Sequence, residues 1–294
     1  ADNQPAALKP NYCCNEALQK RGVTGAYSWN YQGVPRFGPP DTSNKVSFFA
    51  YSPYVETIDS EGNLIDLTGQ AVVPYPAIAS ETGLPTLKYT LPANIANHMD
   101  VLRASNIDMT KYGADGMAAT ADDGLVPMIM EHALTQITFS AQYANAEDDE
   151  NYTVLINSVA LTGIYTQGTL RLDNGQWLFD ADAVKASISI QGRDLAGEAI
   201  DDGNKLYPLL NPDLGTLMLM PQPLAASSLV LNATFRDPDP LKDDVTASIA
   251  FALEETGLKW EPGKSIDYRV LIKGGFISVQ TTIRPWIAYG SDLS

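Results

Sequence analysis

Short segments in which apolar and polar side chains alternate recur along most of this chain, and no long helix interrupts them. In an extended backbone successive side chains point to opposite faces, so alternation marks a strand with one buried and one wet face. The cleanest case is VPMIMEHALTQITFSAQ, residues 126–142. After its histidine, Ile137, Phe139, Ala141 and Tyr143 fall on one side, and Gln136, Thr138, Ser140 and Gln142 on the other.

The same reading places strands at KVSFFAYSPY and LKYTL, and two short ones about a Ser-Glu-Gly-Asn turn in VETIDSEGNLIDL. YTVLINSVALTGIY changes phase near Asn157, which predicts a bulge or a bend between sheets. GTLRLDNGQWLF reads as a hairpin with a type I′ turn at Asn174-Gly175. KASISI and GTLMLMPQPL follow as further strands. SLVLNATF puts Leu229, Leu231, Ala233 and Phe235 on one face, and VTASIAFAL does the same with Val245, Ala247, Ile249, Phe251 and Leu253. SIDYRVLIKGGFISVQTTI pairs two strands about Gly274-Gly275. A small helix is expected at ANIANHMDVLRA, where Ile95, Met99 and Leu102 recur at helical spacing.

Many short strands at intervals of roughly 8–15 residues, without a long helix, imply an all-β chain of antiparallel sandwiches. Its 294 residues, 45% of them hydrophobic, are enough for two cores. The expected division is an N-terminal arm (1–44), a first sandwich (45–147) and a second (148–294), joined near the acidic break NAEDDEN. The arm is rich in Pro, Gly, Asn and Tyr, with one strand expected around GAYSWNY.

A net charge of −16 without a basic cluster disfavours nucleic acid and anionic membrane surfaces as partners. No run of about 18 apolar residues occurs, so no bilayer-spanning helix is expected. The two cysteines, Cys13 and Cys14, are adjacent, too close for an unstrained bond to each other, and read as free thiols. The polar start ADNQPAALKPNY has no apolar core of a signal peptide.

With two histidines in the chain, any Ser-His-Asp site must use His98 or His132, and no G-x-S-x-G elbow surrounds a serine. His, Cys and carboxylate residues are not clustered as zinc requires. The acidic loops at Asp115–Asp123 and Asp237–Asp244 lack the EF-hand spacing and read as solvated loops. His132 reads as a structural residue at a strand start, its imidazole bonding backbone where a loop enters the sheet. No catalytic, cofactor-binding or metal-binding residue is assigned, and the chain is expected not to be an enzyme.

Seven segments in order carry a resemblance. They are FFAYSPY, DVLRA, VPMIMEHALTQITFSA, YTVLINSVALTGIYTQGTLRL…GQW, LMLMPQPL, LKWEPGKSIDYRVLI and IRPW, spanning about residues 45 to 287. Together they resemble the fimbrillin family of Bacteroidales, the type V pilins with their anchor and tip relatives. The resemblance implies two tandem transthyretin-like antiparallel β-sandwich domains with short helical insertions. It implies export as a lipoprotein to the outer membrane or fimbrium, with a role in cell adhesion. It also implies polymerisation by strand exchange with other subunits, after an N-terminal strand is cut away behind an arginine. Arg21 and Arg36 are the candidate processing sites, and Ile277, Val279, Thr281 and Ile283, in phase in GFISVQTTIRPW, mark the candidate donor strand. Neither Cys13 nor Cys14 follows a signal-peptide core, as the family's lipidated cysteine does. The alternative to a fimbrial subunit is a non-polymerising surface lipoprotein that binds glycan or protein through Trp29, Trp177 or tyrosines. A hydrolase with an acidic pair is the third class considered. Within the hairpin, Trp177 reads as core packing.

Overall fold

The computed structural model describes residues 15–23, 26–31, 44–63, 65–74, 85–112, 126–145, 152–214, 216–254, 259–273 and 276–286. β1 (Leu18–Val23) and β2 (Ala26–Tyr31) form a two-stranded antiparallel sheet. The chain continues through β3 (Val46–Ser52), β4 (Val72–Pro74), β5 (Thr86–Thr90), β6 (Leu102–Met109), β7 (Glu131–His132) and β8 (Thr135–Tyr143). Next come β9 (Thr153–Tyr165), β10 (Gln167–Arg171), β11 (Trp177–Leu178), β12 (Lys185–Gln191), β13 (Tyr207–Pro208) and β14 (Leu217–Leu219). The last are β15 (Ser228–Arg236), β16 (Val245–Ala252), β17 (Lys264–Lys273) and β18 (Phe276–Pro285). The chain is all-β, as the alternation predicts.

Two sheets make the larger sandwich, one ordered β12-β9-β15-β16 and the other β13-β8-β17-β18, with β14 also pairing β8. Between them lie the faces read from the alternation. Ile137, Phe139, Ala141 and Tyr143 from β8 and Leu229, Leu231, Ala233 and Phe235 from β15 belong to one buried cluster, all at most 7% exposed. Burying such side chains contributes on the order of 1.5–3 kcal/mol each. The remaining sheets are β11-β10-β5-β4 and β3-β6-β7. Their apolar residues, such as Val72, Leu87, Tyr89 and Leu170, belong to the same continuous core.

Two sheets cross the expected division at 147/148. β8 joins β13, β14 and β17, while β10, with β11 on its other side, joins β5. β8 and β17 pair in parallel, from Ser265↔Gln136 to Ile272↔Tyr143, unlike the antiparallel pairing expected throughout. Such pairings join residues more than a hundred positions apart, which alternation cannot encode.

The phase change in β9 is a bulge. Ser158 pairs with Asn232 and Ile156 with Ala233, leaving Asn157 exposed and unopposed. A second irregularity sits opposite β12, where Ala186 pairs with Ile164 but Ile188 with Leu161. Gly163 lies there at φ +71°, and a Cβ on it would come within 2.5 Å of the Ala226 carbonyl oxygen.

Three local readings are corrected. ANIANHMDVLRA holds only a 3-10 turn at Ile95–Asn97, after which β6 begins at Leu102 and pairs with β3 and β7. Ladder bonds on both edges outweigh a weak helical periodicity. VETIDSEGNLIDL keeps its turn, with Asp59 accepting the backbone N–H groups of Glu61 and Asn63 and Ile65 N–H bonding Thr57 O, but no full strand flanks it among the described residues. The Asn174-Gly175 hairpin closes with a four-residue loop, since Arg171 N–H bonds Gln176 O and Leu170 pairs with Trp177. There Asn174 Oδ1 accepts the Gln176 N–H, an Asx turn instead of type I′.

Candidate functional site

His132 enters β7 opposite Leu102, and its Nδ1 lies 2.8 Å from Asp100 Oδ2. Its ring stacks on Trp286, with centroids 4.2 Å apart and planes 15° from parallel. The imidazole therefore bonds a carboxylate where backbone was expected. Burial raises the Asp100 pKa, and the charge and hydrogen bond of His132 oppose that rise. Asp100 Oδ1 is buried with no hydrogen-bond partner among the described residues. Trp286 follows β18, and its N–H donates to Gly263 O. His132 thus ties the end of β18 to the β6–β7 sheet.

His98 is equally committed. Its Nε2 lies 2.9 Å from Pro92 O, and its Nδ1 accepts the Met218 N–H at 3.3 Å. Those partners place the ring proton on Nε2, and burial lowers the pKa below its ordinary value. Among the described residues, no group of three or more His, Cys, Asp or Glu side chains could hold a metal ion. In the loop at Asp237–Asp244, Asp237 accepts the Asp239 N–H and pairs with Lys242. The loop at Asp115–Asp123 lies outside the described residues.

The candidate donor residues sit in β18, which pairs with β17 along its whole length, from Lys273↔Phe276 to Lys264↔Pro285. Ile277 and Val279 pack against the core, Thr281 is half-buried and Ile283 is 51% exposed. β18 is the last strand of its sheet order, so one side of it faces no strand among the described residues.

Arg21 lies in β1 opposite Ser28, exposed, within a sheet of two strands. Asn15 ties the start of this hairpin to the β3 region: its Nδ2 donates to Val55 O at 2.9 Å, and its Oδ1 accepts the Tyr51 hydroxyl. Arg36, Cys13 and Cys14 lie outside the described residues. Trp177 is in the core, its indole N–H bonded to Ala133 O at 2.8 Å and its ring edge-on to Tyr89. Trp29 is 59% exposed. An open groove of about 710 Å³ runs between the β10–β11 hairpin and the segments holding Pro221, Leu224 and Trp260.

The family described as fimbrillin-like matches residues 15–286 of this sequence. The chain belongs to that family. Among solved structures, a fimbrial protein from Bacteroides vulgatus matches this fimbrillin-like chain with a TM-score of 0.62 at 18% identity. The match covers 95% of this chain and 86% of that one, and the two share a fold. The fimbrial anchor protein Mfa2 from Porphyromonas gingivalis gives a TM-score of 0.33 at 13% identity, over 82% of this chain and 74% of that one. Among curated proteins, none matches this sequence. For the fimbrillin-like chain, what the sequence reading missed is the Asp100–His132–Trp286 contact. Its three members are scattered along the chain, and no local pattern links them.

Proposed function

We propose that this chain is a fimbrial subunit or fimbria-associated protein of the cell surface, acting in adhesion and assembling with other subunits by strand exchange. The observation that carries the proposal is the family match over residues 15–286. β18 supports it physically: a short alternating strand near the C-terminus, with apolar residues in one phase, is suited to enter another sheet. The segment before the cut is the candidate for removal, with Arg21, inside β1, as the preferred cut and Arg36, beyond the β1–β2 hairpin, as the other. β1 is held by one neighbour and is exposed, so its backbone opens more readily than that of a central strand.

Limited trypsin digestion is expected to cut first within residues 1–44. The trimmed protein is then expected to associate, or to take up a peptide copying residues 276–288, on size-exclusion chromatography. A trimmed chain that stays monomeric, binds no peptide and keeps its melting temperature would overturn strand exchange. A second reading, a non-polymerising surface protein binding glycan or protein, is favoured by one observation, the exposed indole of Trp29. Trp177 cannot serve it, since its ring and N–H are committed to the core. Electron microscopy of cells expressing the gene separates the two readings, because only the first requires filaments.

A further inference from the structure

Edge strands present unpaired N–H and C=O groups, and proteins usually blunt them with charge, proline, bulges or shortness. β16 has none of these. It runs Val-Thr-Ala-Ser-Ile-Ala-Phe-Ala without a charge or proline, and pairs with β15 in unbroken register from Phe235↔Val245 to Ser228↔Ala252. The Leu253 N–H bonds Ser227 O, so the odd-numbered residues bond toward β15. Thr246, Ser248, Ala250 and Ala252 therefore turn their backbone groups to the open side, where no strand lies among the described residues.

β18 is the matching edge of the other sheet. The Ile272 carbonyl accepts from Ala144, so the even-numbered residues of β17 bond toward β8 and the odd-numbered ones toward β18. In the register of β18, that leaves Ile277, Val279, Thr281 and Ile283 with backbone groups on the open side. Both edges lie on one flank of the sandwich, because β12 and β13 are linked at the opposite flank by the Leu195↔Leu210 bridge. They also run in the same direction. β8 ends where β9 begins, with the Tyr143 hydroxyl on Tyr152 O, and β8 starts beside β14, near the Gln222–Tyr165 bonds at the end of β9. β9 is thus opposed to β8. β16 follows β9, since both are antiparallel to β15, and β18 is antiparallel to β17, which follows β8.

The open-side residues of β16 carry side chains on the outer face of their sheet, whereas those of β18 carry theirs on the inner face. In a parallel pair, a residue bonds to the two neighbours of the residue beside it, and those neighbours face the other way. A parallel pair is therefore the one that joins these two edges with the apolar faces aligned. A two-fold axis along the strands supplies two such pairs at once, β16 of each copy against β18 of the other.

Charge selects the same arrangement. Asp243 and Asp244 precede β16 and Glu254 follows it, while Lys273 closes β17 next to Phe276 at the start of β18, and Arg284 lies near the end of β18. Arg284 and Lys273 are exposed and make no ion pair among the described residues. An offset of 30 between the strands sets Glu254 beside Arg284. The same offset puts Ala247, Ile249 and Leu253 beside Ile277, Val279 and Ile283. Pairing like with like, β16 on β16 or β18 on β18 antiparallel, instead opposes acids to acids and cations to cations.

We propose that a second copy of this chain docks here, β16 of each copy pairing in parallel with β18 of the other, Glu254 against Arg284. This pairing keeps β18 in its own sheet and needs no cleavage, so it stands apart from strand exchange. The test is sedimentation of the untrimmed chain across a concentration series, with reductant to exclude dimers through Cys13 or Cys14. Salt is held near about 0.15 M to screen the net charge of the two copies. The wild type is expected to form a dimer. Ala250→Pro, which removes an open-side N–H without touching the β15 ladder, is expected to abolish it while the circular dichroism spectrum and melting temperature of the monomer stay. Glu254→Arg and Arg284→Glu are each expected to weaken the dimer by roughly tenfold, and the double variant to restore it. A wild type that stays monomeric at the highest concentration overturns the proposal. So does a dimer insensitive to Ala250→Pro in folded protein, or reversals that do not rescue each other.

Discussion

β15 and β16 are neighbours with almost the same pattern, yet they have different fates. In β15, Leu229, Leu231 and Ala233 are wholly buried and Phe235 is 7% exposed, because β9 and β16 flank the strand and its inner face lies in the core. In β16, Ala247, Ile249 and Phe251 are half-buried, and Val245 is 61% exposed. The difference is position in the sheet, not side-chain chemistry. A strand with one neighbour leaves backbone unpaired and inner-face residues at the rim of the core.

The sharpest way to test that contrast is truncation. Leu231→Ala is expected to destabilise by about 2–5 kcal/mol, because it empties a site closed on all sides. Ile249→Ala, at the rim, is expected to cost about 1–2 kcal/mol, since water and neighbours reach the space it leaves. Equal losses in urea denaturation would erase the distinction between central and edge strand.

Alkaline pH probes the buried centre of the other sheet. Burial pushes the Tyr268 hydroxyl up to about 12, partly offset by the hydrogen bond from the Trp260 indole. Burial likewise raises Tyr89, whose hydroxyl has no partner among the described residues. The unfolded chain releases these protons near pH 10 while the fold still holds them, so the folded state binds more protons between pH 10 and pH 12. Stability is therefore whole below pH 10 and falls as pH rises through that window. Tyr268 alone accounts for roughly 2–3 kcal/mol by pH 12. Denaturation at stepped pH should show this loss reduced in Tyr268→Phe.

His132→Ala removes the stack on Trp286 and leaves the Asp100 carboxylate without its partner. A loss of about 1–3 kcal/mol in thermal unfolding is expected. If His132 instead served a ligand, the variant would lose binding with an unchanged melting temperature. At the lower end, Lys242→Ala breaks an exposed pair with Asp237 and is expected to leave the melting temperature unchanged, as exposed ion pairs usually do.

Much of the fold was legible, and the particular residues say why. The face of β8, the bulge at Asn157 and the β17–β18 hairpin follow from local alternation and its interruptions. The helix expected at ANIANHMDVLRA reaches into the start of β6 because Ile95, Met99 and Leu102 mimic a helical stripe, and the partners of β6, β3 and β7, are distant in sequence. The Asp100–His132–Trp286 contact was hidden for the same reason. The candidate strand residues Ile277, Val279, Thr281 and Ile283 were legible as a phase, but not as an edge.

The sequence by itself determined that this chain is all-β, which face of each long strand is apolar, and where β9 changes phase. Those properties follow from a two-residue period written into neighbouring residues. Only the tertiary structure decided which strands are central and which are edges, and that β8 lies parallel to β17 across the expected boundary. Backbone hydrogen bonds between strands are identical in chemistry whatever side chains they carry. Partner choice therefore rests on the packing of the whole core, and no short stretch of the chain holds that information.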